Sequence, residues 1–337
     1  MKQTDKLIIV TGGAGFIGSN LVAALNNRGH DNILIVDHLN HPAKKQNLKR
    51  LRFTDYADRS EFRHRLNKSP VAQIECVFHL GANSSTTETD EAFLRDNNFL
   101  YSKQLCEWSL SNNIRFIYAS SAATYGDGSN GYSDKHSNIT ALQPLNPYGR
   151  SKQMFDLWAL ESGAIHQIAG IKYFNVYGPG EDHKGEMRSL INKAYLQILT
   201  QQEVRLFKSY KPNCGDGEQK RDFIHVDDAV SITLFFLDHI EISGIFNGGT
   251  GIARTWKDLI RALFSAMNLP PKIRFVEMPG NIREHYQYYT KAEMKKLHQA
   301  GYQKPFLDIE EGVSRYVQNY LIPSNTDSFS HSEKSHT

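Results

Sequence analysis

Tyr148 and Lys152 stand four residues apart in Tyr-Gly-Arg-Ser-Lys. On a helix that spacing stacks both side chains on one face. A free phenol, with a pKa of about 10, is a poor base at neutral pH. A neighbouring ammonium favours the phenolate and is expected to lower that value. The pair can then serve as a tuned acid and base in hydroxyl–ketone chemistry, provided a hydride acceptor lies beside it. Ser121, preceded by Ser120 at the end of an apolar stretch, adds a hydroxyl that could polarise the reacting oxygen opposite Tyr148. Each signal alone is weak. Tyr-x-x-x-Lys arises often by chance, and a serine at a strand end commonly satisfies turn amides.

A hydride acceptor is implied further upstream. Gly12, Gly15 and Gly18 form G-x-x-G-x-x-G between the apolar run 7–10 and a helical stretch at 19–28. Glycines here permit a tight turn, close approach of backbone to a pyrophosphate, and helix–sheet packing. The helix start then presents N–H groups and a positive dipole end to phosphate. Asp37 closes the second strand, where a carboxylate accepts hydrogen bonds from ribose hydroxyls, which suits NAD. Lys44 and Arg59 are cations that could instead receive a 2′-phosphate, which leaves NADP open. Asn97 can order the loops around the site, although a helical Asn is structural by default.

The elements that must position these residues read as an α/β pattern. Strands are expected at 7–10, 32–36, 76–80 and 115–119, with a helix over 91–111. Alternation of strand and helix over 6–175 predicts a Rossmann-type doubly wound parallel sheet. From Asn175 onward, loops rich in Gly, Pro and charge flank helices expected at 186–200, 256–267 and 291–298. They suggest a smaller mixed α/β substrate lobe. The expected division is 1–174 plus about 221–250 for the dinucleotide-binding domain, and about 175–220 with 251–322 for the lobe. Residues 244–251 are expected between the two, and 323–337, polar and rich in Ser and His, as a disordered tail. There is no solenoid repeat.

Composition narrows the function classes. The chain has 337 residues, 40% hydrophobic, enough for a large core, and Lys+Arg 39 against Asp+Glu 36 leaves only +3. Without a long basic run, a nucleic-acid partner is not expected. Cys76, Cys106 and Cys214 lack metal spacing and read as reduced thiols; no metal site is expected. The apolar run 7–10 is too short for a signal segment or a membrane span, so a soluble cytoplasmic protein is expected.

Thr11-Gly-Gly-Ala-Gly-Phe-Ile-Gly18, Ala119-Ser-Ser-Ala-Ala-Thr-Tyr-Gly126 and Tyr148-x-x-x-Lys152, in this order, resemble the extended short-chain dehydrogenase/reductases, which act on nucleotide sugars. A narrower likeness lies in Gly81-Ala-Asn-Ser-Ser-Thr-Thr-Glu88, Asp96-Asn-Asn98, Tyr173-Phe-Asn-Val-Tyr-Gly-Pro179, His183-Lys-Gly185, Lys220-Arg-Asp-Phe223, Gly244-Ile-Phe-Asn247, Tyr286-Gln287 and Lys304-Pro-Phe306. These segments are similar to the ADP-L-glycero-D-manno-heptose 6-epimerases, which make a lipopolysaccharide precursor with bound NADP. The resemblance implies catalytic roles for Ser121, Tyr148 and Lys152, with Lys184 as a second acid/base. It implies cofactor contacts from Gly12, Gly15, Phe16, Ile17 and Gly18, and from Asp37, His38, Lys44 and Arg59. Further cofactor contacts are implied for Leu80, Gly81, Ala82, Asn83 and Ser84, and for Asn97, Val176, Tyr148, Lys152 and Lys184. Substrate contacts are implied for Ser121, Asn175, Glu186 and Lys193, for Phe207, Lys208, Ser209 and Tyr210, and for Arg221 and Tyr286. The likeness also implies a homo-oligomer, a pentamer in the family. The chain departs from the pattern at Glu186, where the family has a small serine, at Lys193, where it has a histidine, and in an insertion near 210–219.

The implied reaction is inversion at C6″ of ADP-D-glycero-D-manno-heptose, by oxidation and re-reduction on a cofactor that is regenerated each turnover. A nucleotide-sugar 4,6-dehydratase is disfavoured. Elimination needs an acid/base pair just after the serine, and Ala122 and Ala123 cannot transfer protons. An epimerase or C4-dehydrogenase on another nucleotide sugar needs the same three residues and stays open. A cofactor-binding regulator would have no use for the complete Ser–Tyr–Lys set.

Overall fold

A computed structural model describes residues 6–66, 73–283 and 286–324. Largely apolar runs form β1 (Leu7–Thr11), β2 (Ile33–Asp37), β4 (Ile74–His79), β5 (Arg115–Ser121) and β6 (Ala169–Tyr173), while the polar segment Asp-Tyr-Ala-Asp forms the edge strand β3 (Asp55–Asp58). Between them run α1 (Phe16–Asn27), α2 (Pro42–Leu48), α3 (Arg59–Arg65), α4 (Glu91–Leu94) leading through a π turn at Arg95–Leu100 into α5 (Tyr101–Ser111), and α6 (Pro147–Glu161). Downstream lie β7 (Asn175–Tyr177), α7 (Leu190–Gln201), β8 (Val204–Phe207), β9 (Lys220–His225), α8 (Val226–Asp238) and β10 (Gly244–Gly248). The chain continues through β11 (Ala253–Thr255), α9 (Trp256–Ala266), β12 (Ile273–Val276), α10 (Gly280–Arg283), α11 (Lys295–Gln299) and α12 (Ile309–Tyr316).

Seven parallel strands form the main sheet in the order β10-β6-β5-β4-β1-β2-β3. Chain order reverses between β1 and β4, the switch point where a crevice opens beyond the carboxyl ends of the strands. The register brings Thr11 beside both Val36 and His79, and Ser121 beside Tyr173, so the strand ends share one rim. Both faces are covered. Leu21, Val22 and Leu25 of α1 and Val230 and Leu234 of α8 pack on one face. Leu105 of α5 and Phe155 and Ala159 of α6 pack on the other. A second core gathers Ile191 and Ile198 of α7, Leu259 and Leu263 of α9, and Val313 of α12. It lies beside a three-stranded sheet, β11-β9-β7, and the parallel pair β8–β12.

Three segments differ from the sequence expectation. Residues 244–248, expected between the lobes, are the edge strand of the main sheet, paired along β6 from Gly244–Ala169 to Gly248–Tyr173. Only the loop after it reaches β9, where Asp222 accepts hydrogen bonds from the Thr250 and Gly251 amides. The helix expected from 186 begins at Leu190, capped by Ser189. Before it, Asp182–Met187 form a 3₁₀ segment that Gly185 breaks at φ 53°. Of 291–298, only 295 onward is helical. The Ala292 amide bonds to Asp222 and the Glu293 carbonyl to Asn247, so tertiary partners replace a helical ladder there. Residues 322–324 are helical, and the rest of the expected tail, 325–337, lies outside the described residues. Among the described residues no helix is long and apolar enough to cross a membrane.

Candidate active site

The carboxyl rim of the main sheet opens into a cavity of about 1040 Å³. Its floor is the glycine turn. Gly12 sits at φ 72°, and a Cβ there would fall 2.7 Å from the Gly81 nitrogen. A Cβ on Gly18 would fall 2.0 Å from the Gly12 carbonyl oxygen, so helix and turn close only without side chains. Gly15 begins α1 with no side-chain cap, which leaves helix N-terminal amides facing the cavity. This cradle fits a diphosphate. Phe16 and Ile17 complete it, and Leu80, Gly81, Ala82, Asn83 and Ser84 form the adjoining wall.

At one end of the cavity the Asp37 carboxylate is already engaged. It accepts the amides of Ala14 at 2.9 Å and His38 at 2.7 Å, and pairs with Lys44 Nζ at 2.7 Å. Lys44 also donates to the His38 carbonyl at 3.1 Å. The Arg59 guanidinium donates to Asn97 Oδ1, and both line the same end. Asp37 is therefore a clamp on the glycine turn, charge-compensated by Lys44, and Arg59 lines the same cavity.

Ser121, Tyr148 and Lys152 line the same cavity. Asn146 caps α6 by accepting the Gly149 amide at 2.8 Å, and Pro147 occupies its first turn, which fixes where Tyr148 starts. Ser121 ends β5 and accepts the Ala123 amide at 3.1 Å. The expectation of a lowered Tyr148 pKa is corrected. Burial raises it, and the hydrogen bond with Ser121 only partly opposes that. Lys152, buried and donating to the Ala119 carbonyl at 2.9 Å, is itself pushed down to about 8 by burial, with Asp156 opposing. Desolvation outweighs the pairing inferred from spacing. Tyr148 is thus held as a phenol, and Lys152 as an ammonium below about pH 8.

The NAD dependent epimerase/dehydratase family matches residues 8–249. The chain belongs to that family. It is 48% identical over 320 residues to the ADP-L-glycero-D-manno-heptose-6-epimerase of Nitratidesulfovibrio vulgaris (strain DP4), covering 95% of this chain and 99% of the relative. To the enzyme of the same name from Fusobacterium nucleatum it is 47% identical over 330 residues, with coverage of 95% and 99%. The crystal structure of Helicobacter pylori ADP-L-glycero-D-manno-heptose-6-epimerase superposes with a TM-score of 0.78 at 26% identity, over 93% of this chain and 96% of that one. Membership makes the protein an epimerase of nucleotide-sugar type that uses a nicotinamide cofactor.

In this family member a strap from Pro179 to Arg188 crosses the cavity. On one side Asn20 and Asn47 donate to the Pro179 and Gly180 carbonyls at 2.8 and 3.0 Å. On the other, Glu181 accepts the Ser189 and Tyr316 hydroxyls at 2.6 and 3.0 Å, while Asp182 accepts from Asn192 and Tyr320. The strap carries Lys184, whose ammonium lies 5.5 Å over the Phe16 ring. Burial lowers its pKa and Glu181 counteracts. His183 beside it was named from the sequence as part of the His183-Lys-Gly185 segment but given no role. Its Nε2 lies 3.9 Å from where a Gly15 Cβ would be, its Nδ1 is buried without a hydrogen-bond partner, and burial with Lys44 and Lys184 pushes its pKa to about 4. No local spacing connects it to the glycine turn.

Asn175, Val176, Glu186, Lys193, Phe207 and Tyr286 line the cavity, with Trp256, which the sequence did not single out. Lys193 donates to the Glu186 carbonyl at 3.0 Å, which ties together the two positions that depart from the resemblance. Four expected substrate contacts are placed elsewhere. Lys208 pairs with Glu277 at 2.7 Å on the surface. Tyr210 bonds the same carboxylate and lies under the Arg283 guanidinium at 3.6 Å, and the Ser209 amide is held by Asp216 at 2.7 Å. Arg221 is buried behind the wall, with its guanidinium 5.5 Å from the Trp256 ring and 5.4 Å from the Tyr286 ring, and donates to the Gln287 carbonyl. Local partners capture each of these groups before the cavity is reached.

Proposed function

We propose that the protein is an ADP-L-glycero-D-manno-heptose 6-epimerase that inverts C6″ of ADP-D-glycero-D-manno-heptose with a tightly held NADP. Full-length likeness at 48% identity to an enzyme of that name carries the reading. The site supports it, because Ser121, Tyr148, Lys152 and Lys184 come from three separate segments to one cavity. A bound nicotinamide would accept hydride from C6″ and later return it to the other face of the ketone. Ser121 holds the reacting oxygen by a hydrogen bond. Tyr148, a phenol at rest, has to ionise before it takes the hydroxyl proton, and the Lys152 ammonium stabilises the phenolate so formed. Lys184, its pKa lowered by burial, donates the proton on re-reduction. The hydride taken is returned, and exchange of one proton each with solvent resets Tyr148 and Lys184, so no outside reductant is consumed.

NADP is favoured over NAD because Lys44 neutralises Asp37 and Arg59 stands nearby. Residues 1–174 with about 221–250 hold the cofactor, and 175–220 with 251–322 the sugar nucleotide. A cytoplasmic homo-oligomer, a pentamer, is inferred from family resemblance and is checked by light scattering. The decisive experiment incubates purified protein with ADP-D-glycero-D-manno-heptose and follows C6″ configuration by NMR. Absence of conversion, with turnover of another nucleotide sugar, would overturn the substrate assignment. Mass spectrometry of the cofactor released on denaturation separates NADP from NAD.

A further inference from the structure

Behind the wall that carries Ser121, Tyr148 and Lys152 lies an ion pair that the reaction above does not use. Asp156, one turn along α6 from Lys152, meets Lys172 of β6 at 2.5 Å, and both side chains are 0% exposed. Neither lines the cavity. Burying two charges is costly, and a well-packed apolar pair commonly serves stability as well or better. Stability alone therefore gives no reason for the pair, and its connections suggest another.

Every polar valence of the pair leads to the catalytic segments. Asp156 accepts the Tyr118 hydroxyl on one oxygen at 2.8 Å, and the Ser120 hydroxyl on the other at 2.8 Å. Tyr118 and Ser120 belong to the strand that ends in Ser121. Lys172 also donates to Thr124 Oγ1 at 2.7 Å, and Thr124 Oγ1 in turn donates to the Ser121 carbonyl at 2.8 Å. The remaining side of the ammonium faces the Tyr125 ring at 5.3 Å. A continuous chain thus runs from α6, through Asp156, Lys172 and Thr124, to the backbone of Ser121. Lys152 closes the loop from the same helix by donating to the Ala119 carbonyl.

We propose that Asp156 and Lys172 are positioning residues: the pair locks the helix that bears Tyr148 and Lys152 to the strand end that bears Ser121, and so fixes three groups around one substrate oxygen. The inference rests on the reading of those three as catalytic. A charge effect accompanies the geometry. Asp156 is the carboxylate that opposes the burial of Lys152, and it pushes Tyr148 upward. The other groups around Lys152 are Tyr148 on its own helix, neutral His79 on β4, and Lys172 behind Asp156.

Four variants test the proposal: Thr124→Val, Asp156→Asn, Lys172→Arg and the double change D156N/K172M. Thr124→Val cuts the chain without altering charge. It should lower kcat by about tenfold or more, as misplacement of a reacting group by a fraction of an ångström does. Its KM, cofactor content and unfolding midpoint should stay near wild type. Asp156→Asn should shift the alkaline limb of kcat and the Tyr148 phenolate absorbance, read as wild type minus Tyr148→Phe, to lower pH. Lys172→Arg, which keeps both contacts, should retain most of the activity, and D156N/K172M should fold yet remain slow. Wild-type kcat and an unmoved pH profile in Thr124→Val and the double variant would overturn the proposal. So would losses that track only loss of folded protein. The absorbance titration needs no substrate. A shift there, with no conversion of ADP-heptose by wild type, would sink the substrate assignment and leave the positioning role standing.

Discussion

Two glycines with the same backbone handedness allow a controlled test of the cofactor cradle. Gly12 sits at φ 72° in the turn after β1, and Gly29 at φ 86° just beyond the end of α1. Alanine in the left-handed region costs about 1–2 kcal/mol at either position. Both substitutions also narrow the unfolded ensemble by a similar amount, which cancels in the comparison. The surroundings differ. A Cβ at Gly29 meets nothing within 4 Å, whereas at Gly12 it falls 2.7 Å from the Gly81 nitrogen, 2.8 Å from the Gly81 Cα and 2.9 Å from the Leu80 carbonyl carbon. Those atoms are backbone, and the same strand ends are tied by the Leu80 amide to the Thr11 carbonyl at 3.1 Å, so they cannot rotate away. Overpacking of this kind adds about 1–3 kcal/mol. Gly12→Ala should therefore lose about 1–3 kcal/mol more than Gly29→Ala in urea unfolding. Relief of the clash displaces the turn, so calorimetric titration with NADP should show at least about tenfold weaker binding for Gly12→Ala and no change for Gly29→Ala. Equal destabilisation of the two variants, or wild-type cofactor affinity in Gly12→Ala, would refute the reasoning.

Lys184→Met should slow epimerisation by about a hundredfold or more, the usual contribution of a positioned proton donor. A normal rate, measured by NMR at C6″, would reduce Lys184 to a structural lysine. Lys152 is charged below about pH 8 and neutral above it. kcat should accordingly fall as pH rises through that value, and Lys152→Arg should remove the alkaline limb from a pH–rate profile. His79 is held neutral, its pKa pushed to about 3 by burial between Thr11 Oγ1 at 2.7 Å and Ser102 Oγ at 2.8 Å. Its unfolded form takes up a proton near pH 6.5, which the folded form resists. Its contribution to stability is therefore complete above that pH and declines below it, by up to roughly 1.4 kcal/mol per pH unit. Denaturant midpoints of wild type and His79→Gln between pH 4 and 7 should differ in slope if this holds.

The glycine turn was legible because its signal is local: three glycines, an apolar run before and a helix after. The Tyr148–Lys152 spacing was legible for the same reason. Strand β10 was harder. Its five residues are buried, but only pairing with β6, more than seventy residues upstream, decides that they are an edge of the main sheet. The first turn of the helix expected at 291–298 was lost to Asp222 and Asn247, whose claims on the Ala292 amide and the Glu293 carbonyl leave no trace in the local pattern. Arg221 illustrates the limit on the site. The resemblance implied a substrate contact, whereas the Trp256 and Tyr286 rings and the Gln287 carbonyl hold it behind the wall.

By itself the sequence determined the fold class, the glycine turn between strand and helix, and which side chains are of a type able to move protons. All three follow from short-range rules: strand–turn–helix chemistry, four-residue helical spacing and side-chain type. Tertiary structure decided the protonation states and the company these groups keep. Burial, not the neighbouring ammonium, sets Tyr148 upward. The strap brings His183 and Lys184 over the glycine turn. The Asp156–Lys172 pair joins helix to strand behind Ser121. Desolvation and long-range contact depend on what the completed fold places nearby, and residues distant in the chain carry no record of that in their spacing.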